Sequence, residues 1–285
     1  MSVNNRRLLA VLAHPDDETF GPGGTLALYA RRGVEVQLVC ATRGEVGEAP
    51  PDRKGFTTVG EMRESELRCA AGILGLAGVH FLGYRDSGMP GSSDNAHPQA
   101  FAAAPAGEAA RATARLIRRL KPQVVITFDP IGGYRHPDHI AAHRAAVEAF
   151  RMAADPAAFP GDGTPYAPQK LYFHTFPHGF IRVAVRILSL FGQDPHHFGK
   201  NRDIDIASLA EVDFPIHAKI NIRSVIQVKQ QASACHSSQG GGGMSGAALW
   251  ITRLLGATED YMRAEPQPPP RRIEHDLFEG VDERR

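Results

Sequence analysis

The chain of 285 residues carries 32 Lys and Arg against 31 Asp and Glu, a formal net charge of +1. This length is enough to bury a large core, and the balanced charge argues against nucleic acid or a membrane surface as the main partner. No apolar run approaches the roughly 18 to 20 residues of a membrane helix, and Arg6-Arg7 lead into a strand without a signal-peptide pattern. We therefore expect a cytoplasmic protein that is monomeric or homo-oligomeric. Its partner is expected to be a small metabolite.

Apolar segments with strand character alternate along the chain with segments of helical period. The strands are predicted at 7–13, 34–41, 78–84, 124–129 and 170–176. The helices are predicted at 24–32, 61–75, 107–120 and 138–153. Because strands separated by helices form β-α-β units, the alternation predicts an α/β fold with a Rossmann-like, mostly parallel sheet and helices on both faces.

Four segments fall outside this alternation. Residues 45–60 form a long loop without periodicity, and loops of this length in a compact domain usually border a site. Residues 180–203 are interpreted as an insertion, and the glycine-rich stretch 237–246 as a flap or a flexible linker. The proline-rich, charged residues 266–285 are expected to form a surface strap or a disordered end. The chain up to residue 265 is therefore predicted to be a single domain.

The three cysteines, Cys40, Cys69 and Cys235, form no C-x-x-C pair. Reduced, buried thiols are therefore expected rather than a disulfide. The position of Cys235 beside His236 leaves a metal or redox role open.

Two of the predicted strands are followed by histidines and carboxylates. The first strand leads into the segment His14-Pro15-Asp16-Asp17-Glu18, and the fourth into His136-Pro137-Asp138-His139. Since parallel strands deliver their carboxyl ends to one edge of a sheet, these side chains can converge on a divalent metal. Taken alone, the two aspartates could equally cap the next helix. Together the two segments indicate a metal-dependent hydrolase.

The two motifs resemble those of the LmbE-like, or PIG-L, de-N-acetylase family, which has A-H-P-D-D-E after the first strand and H-P-D-H after a later one. The resemblance implies the fold of that family and removal of the N-acetyl group from a 2-acetamido sugar or an N-acetylglucosaminyl conjugate, giving acetate and a free amine. Further matching segments are Thr42-Arg43-Gly44-Glu45, Met62-Arg63-Glu64-Ser65-Glu66-Leu67, Tyr84-Arg85-Asp86-Ser87-Gly88 and His236-Ser237-Ser238-Gln239.

The resemblance also implies a ligand set, namely His14, Asp17 and His139. Two histidines and one carboxylate leave coordination positions open, as catalytic ions require. Zinc is expected, with ferrous iron as the alternative because the same triad suits it. His143 also has a zinc-helix spacing from His139 but is expected to be buried or to support the site, and Asp138 to orient a ring or cap the helix.

Three further residues are implied in the reaction. Asp16 would act as general base toward the attacking water and return the proton to the departing amine. His136 would lie near the reacting carbonyl as an electrostatic or proton-donating group. Tyr134 would donate its hydroxyl hydrogen to the oxyanion, although a tyrosine in a glycine-rich turn could also be a packing residue.

Substrate contacts are predicted for Arg63, Asp86, His236 and Arg135. Arg63 and Asp86 resemble positions that hold substrate hydroxyls in sugar deacetylases, the alternatives being a solvated helix face and a turn. His236 would lie near the site or be an exposed loop residue. Arg135 stands where the family usually has glycine, so it either binds an anionic group of the substrate or points into solvent.

Two other functional hypotheses stay open. One is an amidase that acts on a larger, thiol-conjugate-like amide. The other is a metal- or nucleotide-binding module without turnover, since Gly21-Pro22-Gly23-Gly24 follows a strand. Its spacing is not G-x-G-x-x-G, and the carboxylates before it would repel a pyrophosphate.

Overall fold

The computed structural model describes residues 5–175 apart from 49, 51, 54, 106, 161 and 162, together with 206–242, 257–269, 272–282 and a few positions between 182 and 195. Most of the insertion predicted at 180–203 lies outside the described residues. Residues 243–246 of the predicted flap also lie outside them.

Seven strands of the described residues form one mixed sheet. They are β1 Arg7–Leu12, β2 Glu35–Thr42, β3 Gly78–Tyr84, β4 Val124–Phe128, β5 Lys170–Thr175, β6 Ala218–Asn221 and β7 Thr258–Glu265. Their order is β3-β2-β1-β4-β5-β7-β6. Strands β1 to β5 pair in parallel, and β7 pairs antiparallel with both β5 and β6. The predicted mostly parallel α/β sheet is confirmed, and its five predicted strands agree with β1 to β5 within one residue.

Eight helices of the described residues lie between the strands. They are α1 Asp17–Phe20, α2 Gly23–Arg31, α3 Val59–Leu74, α4 Glu108–Leu120, α5 Gly132–Arg135, α6 Pro137–Ala154, α7 Ile206–Leu209 and α8 Ile226–Cys235. The four predicted helices correspond to α2, α3, α4 and α6. Helix α3 begins at a capping box between Thr58 and Glu61 and ends at Gly75 in the left-handed conformation. None of the described helices is long and apolar enough to span a bilayer.

The two faces of the sheet are covered by different helices. Along β1, Leu8, Ala10 and Leu12 join one apolar cluster with residues of α2, α3 and α8. Leu9 and Val11 join a second cluster with residues of α4 and α6. This alternation follows from the two-residue period of a strand, and burial on both sides explains why β1 is apolar after Arg7.

The described part of the predicted C-terminal tail packs against the sheet. The backbone of Glu274 bonds to His217 and Lys219 beside β6, and Leu277 and Phe278 are almost fully buried. The Phe278 ring lies 5.3 Å from that of Tyr29 on α2. These two apolar side chains hold the segment as a buried strap, so the alternative of a disordered end is wrong for residues 272–282.

The prediction of three reduced cysteines was wrong. Cys69 on α3 and Cys235 at the end of α8 form a disulfide with a Cα–Cα distance of 6.0 Å, while Cys40 is free and buried. The two half-cystines are 166 residues apart in sequence. Their proximity results from the packing of α3 against α8, which no local pattern reveals.

Candidate metal centre and active site

The predicted site residues lie at the centre of the sheet. Strands β1 and β4 are neighbours, with β2 and β3 beyond β1 and with β5 beyond β4. At such a topological switch point the carboxyl ends of the strands leave a crevice in which α/β proteins bind ligands. The segments that follow β1, β3 and β4 meet in this crevice.

The three predicted metal ligands bring their donor atoms together. His14 Nδ1 lies 3.3 Å from His139 Nε2, which lies 3.2 Å from Asp17 Oδ1. Asp17 Oδ2 lies 3.6 Å from His14 Nδ1. Tetrahedral ligands that each lie about 2.1 Å from a zinc ion are about 3.4 Å from one another. With Asp17 measured from the oxygen nearer to each ring, the three spacings are close to this value and fit a single ion of this size.

Each of the two histidines has a partner on its other ring nitrogen. His14 Nε2 lies 3.0 Å from Asp138 Oδ2, and His139 Nδ1 lies 3.2 Å from the Gly132 carbonyl. A proton on each of these nitrogens leaves the opposite lone pairs for a metal. Gly132 has φ 66°, and a Cβ there would come within 2.7 Å of His139 Cβ, so the turn requires glycine.

Two other groups of possible ligand atoms share His14. They are His14 with His136 and His139, and His14 with Asp86 and Asp138. The oxygens of Asp138 already accept hydrogen bonds from the backbone N–H groups of Ser87, at 2.9 Å, and Ala102, at 3.1 Å. Asp138 is therefore better placed to orient the His14 ring, as predicted, than to bind an ion.

Burial and neighbouring charges shift the pKa values of these groups in opposite directions. Burial raises the pKa of Asp17, but the charges of His139 and His14 outweigh it and hold the pKa well below its usual range. Burial lowers the pKa of His14, but Asp86 and Asp138 raise it above the ordinary value. Burial, together with the charges of His14 and His139, lowers the pKa of His136 to about 2, so this ring is neutral.

Asp16 has an unusual backbone conformation and a charged partner. Its φ is 122°, and its Oδ2 lies 3.0 Å from Arg63 Nη2. Burial raises the pKa of Asp16 to about 6, against the opposing charge of Arg63. Arg63 also donates to the Pro15 and Gly44 carbonyls and is only 4% exposed. The alternative of a solvated helix face for Arg63 is therefore wrong.

His136 and Tyr134 pack against the rings of the candidate ligand histidines. Asp138 N donates to His136 Nδ1 at 3.2 Å, so a neutral His136 carries its proton on Nε2. The Tyr134 ring meets that of His139 edge-on at 4.9 Å. Burial, with the nearby carboxylates Asp17 and Asp16, raises the pKa of Tyr134 well above its ordinary value, so its hydroxyl remains a donor.

The remaining predicted residues, Arg135, Asp86 and His143, differ in their exposure and in their contacts. Arg135 is exposed and has φ 68°. Asp86 is buried, accepts from the Gly88 amide at 2.8 Å, and lies 3.4 Å from His14 Nε2. His143 is half-buried rather than buried, and its Nδ1 lies 2.9 Å from the Phe128 carbonyl. Substrate contacts of Arg135 and Asp86 stay predictions.

His236 is completely buried, which excludes the exposed loop histidine considered from sequence. Its Nε2 lies 2.6 Å from Glu18 Oε1. Burial alone lowers the pKa of His236, but the hydrogen bond and charge of Glu18 raise it above the ordinary value. Sequence reasoning assigned no role to Glu18, although it completes the motif after β1.

The loop 45–60 was predicted to border the site. Its first residue, Glu45, does so, since its carboxylate accepts a hydrogen bond from the Asp86 amide at 3.0 Å.

Comparison with known proteins agrees with this geometry. The family profile described as PIG-L, GlcNAc-PI de-N-acetylase, matches residues 9–150. Two curated relatives are named 1D-myo-inositol 2-acetamido-2-deoxy-alpha-D-glucopyranoside deacetylase. The one from Thermobifida fusca is 38% identical over 294 residues, covering 97% of this chain and 100% of its own length. The one from Streptomyces avermitilis is 39% identical over 296 residues, covering 97% and 98%.

A solved structure shows the same fold. A conserved protein from Thermus thermophilus superposes with a TM-score of 0.60 at 26% identity, covering 92% of this chain and 95% of that one. The family resemblance inferred from the motifs after β1 and β4 is thereby confirmed. The chain belongs to the PIG-L family of metal-dependent de-N-acetylases and is an enzyme that hydrolyses an amide bond.

Proposed function

We propose that this deacetylase acts on an N-acetylglucosamine joined to a polyol, with 1D-myo-inositol 2-acetamido-2-deoxy-alpha-D-glucopyranoside as its substrate. The names of relatives that align with almost the whole chain support this substrate. The observation that carries the reaction is the convergence of His14, Asp17 and His139 beside the Asp16 carboxylate. Hydrolysis would give acetate and the free amine.

His14, Asp17 and His139 would hold the metal. Zinc is proposed, with ferrous iron as the alternative, because two imidazoles and one carboxylate suit both ions. When bound, the ion would polarise the acetyl carbonyl and lower the pKa of a water molecule.

Asp16 is proposed as the general base. Its carboxylate would take a proton from the attacking water and return it to the departing amine, which requires the group to stay in one place through both steps. The contact of Arg63 Nη2 with Asp16 Oδ2 holds the carboxylate. Arg63 is itself fixed by two backbone carbonyls, so it can serve as a rigid support.

His136 and Tyr134 are proposed to stabilise the oxyanion. A neutral His136 offers Nε2–H, because its Nδ1 accepts from the Asp138 amide. Tyr134 offers its phenolic hydrogen. Donors that are already oriented where negative charge develops stabilise the transition state more than the ground state, so their loss lowers kcat more than it raises KM.

The function is tested with the metal-reconstituted protein by amine release. Three substrates are compared: the N-acetyl inositol conjugate, its N-hexanoyl analogue and free N-acetylglucosamine. We expect the highest kcat/KM for the first. A higher value for the hexanoyl compound would indicate the amidase instead, and no release from any of the three with metal bound would reject the proposed substrate.

Two variants test the assignment of residues in the same assay. Asp16→Asn keeps the shape but cannot accept the proton, so kcat should fall about 100-fold or more with the metal content unchanged. Tyr134→Phe removes one donor and should lower kcat more than it raises KM. An Asp16→Asn enzyme that turns over at the wild-type rate would exclude Asp16 as the base.

A further inference from the structure

The backbone of Asp16 is held in a conformation that the residue does not adopt by itself. Its φ of 122° and ψ of −28° lie in a region that costs a non-glycine residue of order 1–3 kcal/mol. Such a conformation persists only where surrounding contacts impose it. The direction of the Asp16 carboxylate therefore depends on whatever holds its peptide groups.

One of those contacts comes from the side chain of Glu18. Asp16 N donates to Glu18 Oε2 at 3.0 Å, and Glu18 is 0% exposed. A carboxylate so deeply buried needs a second partner, because an unpaired buried charge is costly. His236 provides it, with Nε2 at 2.6 Å from Glu18 Oε1.

Contacts with helix α3 hold the segment around His236 in place. The next residues, Ser237 and Ser238, donate to the Glu66 carboxylate on that helix, and the preceding Cys235 is bonded to Cys69 on the same helix. Helix α3 also carries Arg63, which contacts the Asp16 carboxylate. Helix α3 therefore contacts the Asp16 side chain directly, through Arg63. It also supports the Asp16 backbone indirectly, through His236 and Glu18.

We propose that Glu18 and His236 are a positioning pair for Asp16 and do not touch the substrate. The inference rests on the proposed role of Asp16 as the base. Both side chains are 0% exposed, so neither offers a surface to a sugar. Their hydrogen bond fixes the Glu18 carboxylate, which accepts from the Asp16 amide and sets the direction of the base.

A pair of substitutions at His236 tests which atom matters. The amide nitrogen of glutamine occupies nearly the place of Nε2, whereas that of asparagine corresponds to Nδ1. His236→Gln can therefore still donate to Glu18 Oε1, but His236→Asn cannot reach it. We expect His236→Asn to lower kcat about 10- to 100-fold, the scale of a small misplacement of a catalytic group, with KM and metal content unchanged. His236→Gln should recover most of that loss.

His217→Gln is the matched control. This imidazole too is held by a hydrogen bond, in which its Nδ1 accepts from the Arg263 backbone amide at 3.0 Å, but it lies at the far edge of the sheet. It should lower thermal stability without changing kcat. If His236→Gln and His236→Asn have equal kcat values, or if only thermal stability changes, the pair has no positioning role.

A double-mutant cycle with Asp16→Asn separates positioning from direct action. If His236 acts only through Asp16, then His236→Asn should cost nothing further in kcat once the base is removed. An equal loss in both backgrounds would overturn the proposal and point to a direct contact with substrate. Glu18→Asp is the second variant, since its shorter side chain cannot contact both His236 Nε2 and the Asp16 amide. It should lower kcat in the wild-type background and should lower it no further in the His236→Asn background.

The cycle also distinguishes failure of this inference from failure of the proposed function. A fully active Asp16→Asn would exclude Asp16 as the base, and with it the positioning pair, but would leave the proposed substrate standing. An inactive Asp16→Asn together with a fully active, folded His236→Asn would refute only the positioning pair.

Discussion

At the scale of single residues, the two nitrogens of each candidate ligand histidine have separate tasks. His14 and His139 each present one nitrogen to the ligand group and the other to an oxygen of the protein. His143 differs because its Nδ1 faces the Phe128 carbonyl and its ring packs edge-on against Phe173, 4.6 Å away. The spacing of His139 and His143 is that of a zinc helix, yet only His139 turns toward the site.

The first prediction follows from this difference. Replacing His14, Asp17 or His139 by Ala should abolish stoichiometric metal, since each removes one of three donors. His143→Ala should retain most of it. Metal analysis of the purified, reconstituted variants measures this directly. A metal-free His143→Ala beside a fully loaded His139→Ala would reverse the assignment.

The second prediction concerns Arg135. Its φ of 68° is a left-handed conformation that costs a residue with a side chain about 1 kcal/mol. Arg135→Gly should therefore leave stability unchanged or slightly higher. If the exposed guanidinium binds an anionic group on the substrate, the variant should also lose preference for an anionic over a neutral acetamido sugar, mainly through KM. An unchanged ratio of the two kcat/KM values would show that Arg135 only faces solvent.

At the scale of elements, α3 and α8 are joined by packing and by the bond between Cys69 and Cys235. The third prediction is that denatured protein kept free of reductant titrates as one thiol, that of Cys40, and not three. Since the bond closes a loop of 166 residues, its loss in Cys69→Ser/Cys235→Ser should cost up to about 5 kcal/mol in the chain-entropy account.

The measurement is denaturant unfolding of the oxidised protein and of the double variant. Wild-type protein treated with reductant should match the variant, because both lack the same bond. Three titrating thiols, or equal unfolding free energies in all three samples, would contradict the disulfide.

At the scale of the whole molecule, a buried histidine on β5 links stability to pH. His174 is 8% exposed, and burial lowers its pKa to about 4, only partly opposed by Glu259. Its unfolded value is about 6.5, so both states are uncharged above that pH and stability is complete there. Between pH 6.5 and 4 the unfolded chain binds a proton that the folded protein does not, and stability falls.

The fourth prediction is therefore a loss of up to about 3 kcal/mol of unfolding free energy between pH 7 and pH 4 from this one group. His174→Gln should flatten the dependence by that amount, although it will be less stable at pH 7. Denaturant unfolding at several pH values measures both. Parallel pH profiles of the two proteins would show that His174 contributes nothing to acid lability.

Local patterns were sufficient for the parallel half of the sheet. Strands β1, β2, β4 and β5 each contain an apolar segment buried on both faces, and such segments are recognisable without any tertiary information. The last two strands were missed. Strand β6 has only four residues, and β7, Thr258–Glu265, carries four charged side chains, three of them buried against partners from other segments.

The sequence by itself determined the family, the parallel core and the candidate ligands, because each depends on residues adjacent in the chain or one strand apart in a sheet. Only the tertiary structure decided that Arg63 supports Asp16, that His236 meets Glu18 and that Cys69 meets Cys235. These pairs are separated by 47, 218 and 166 residues. Contacts across such distances depend on how helices α3 and α8 pack against each other and against the segment that follows β1, and no short-range periodicity encodes that packing.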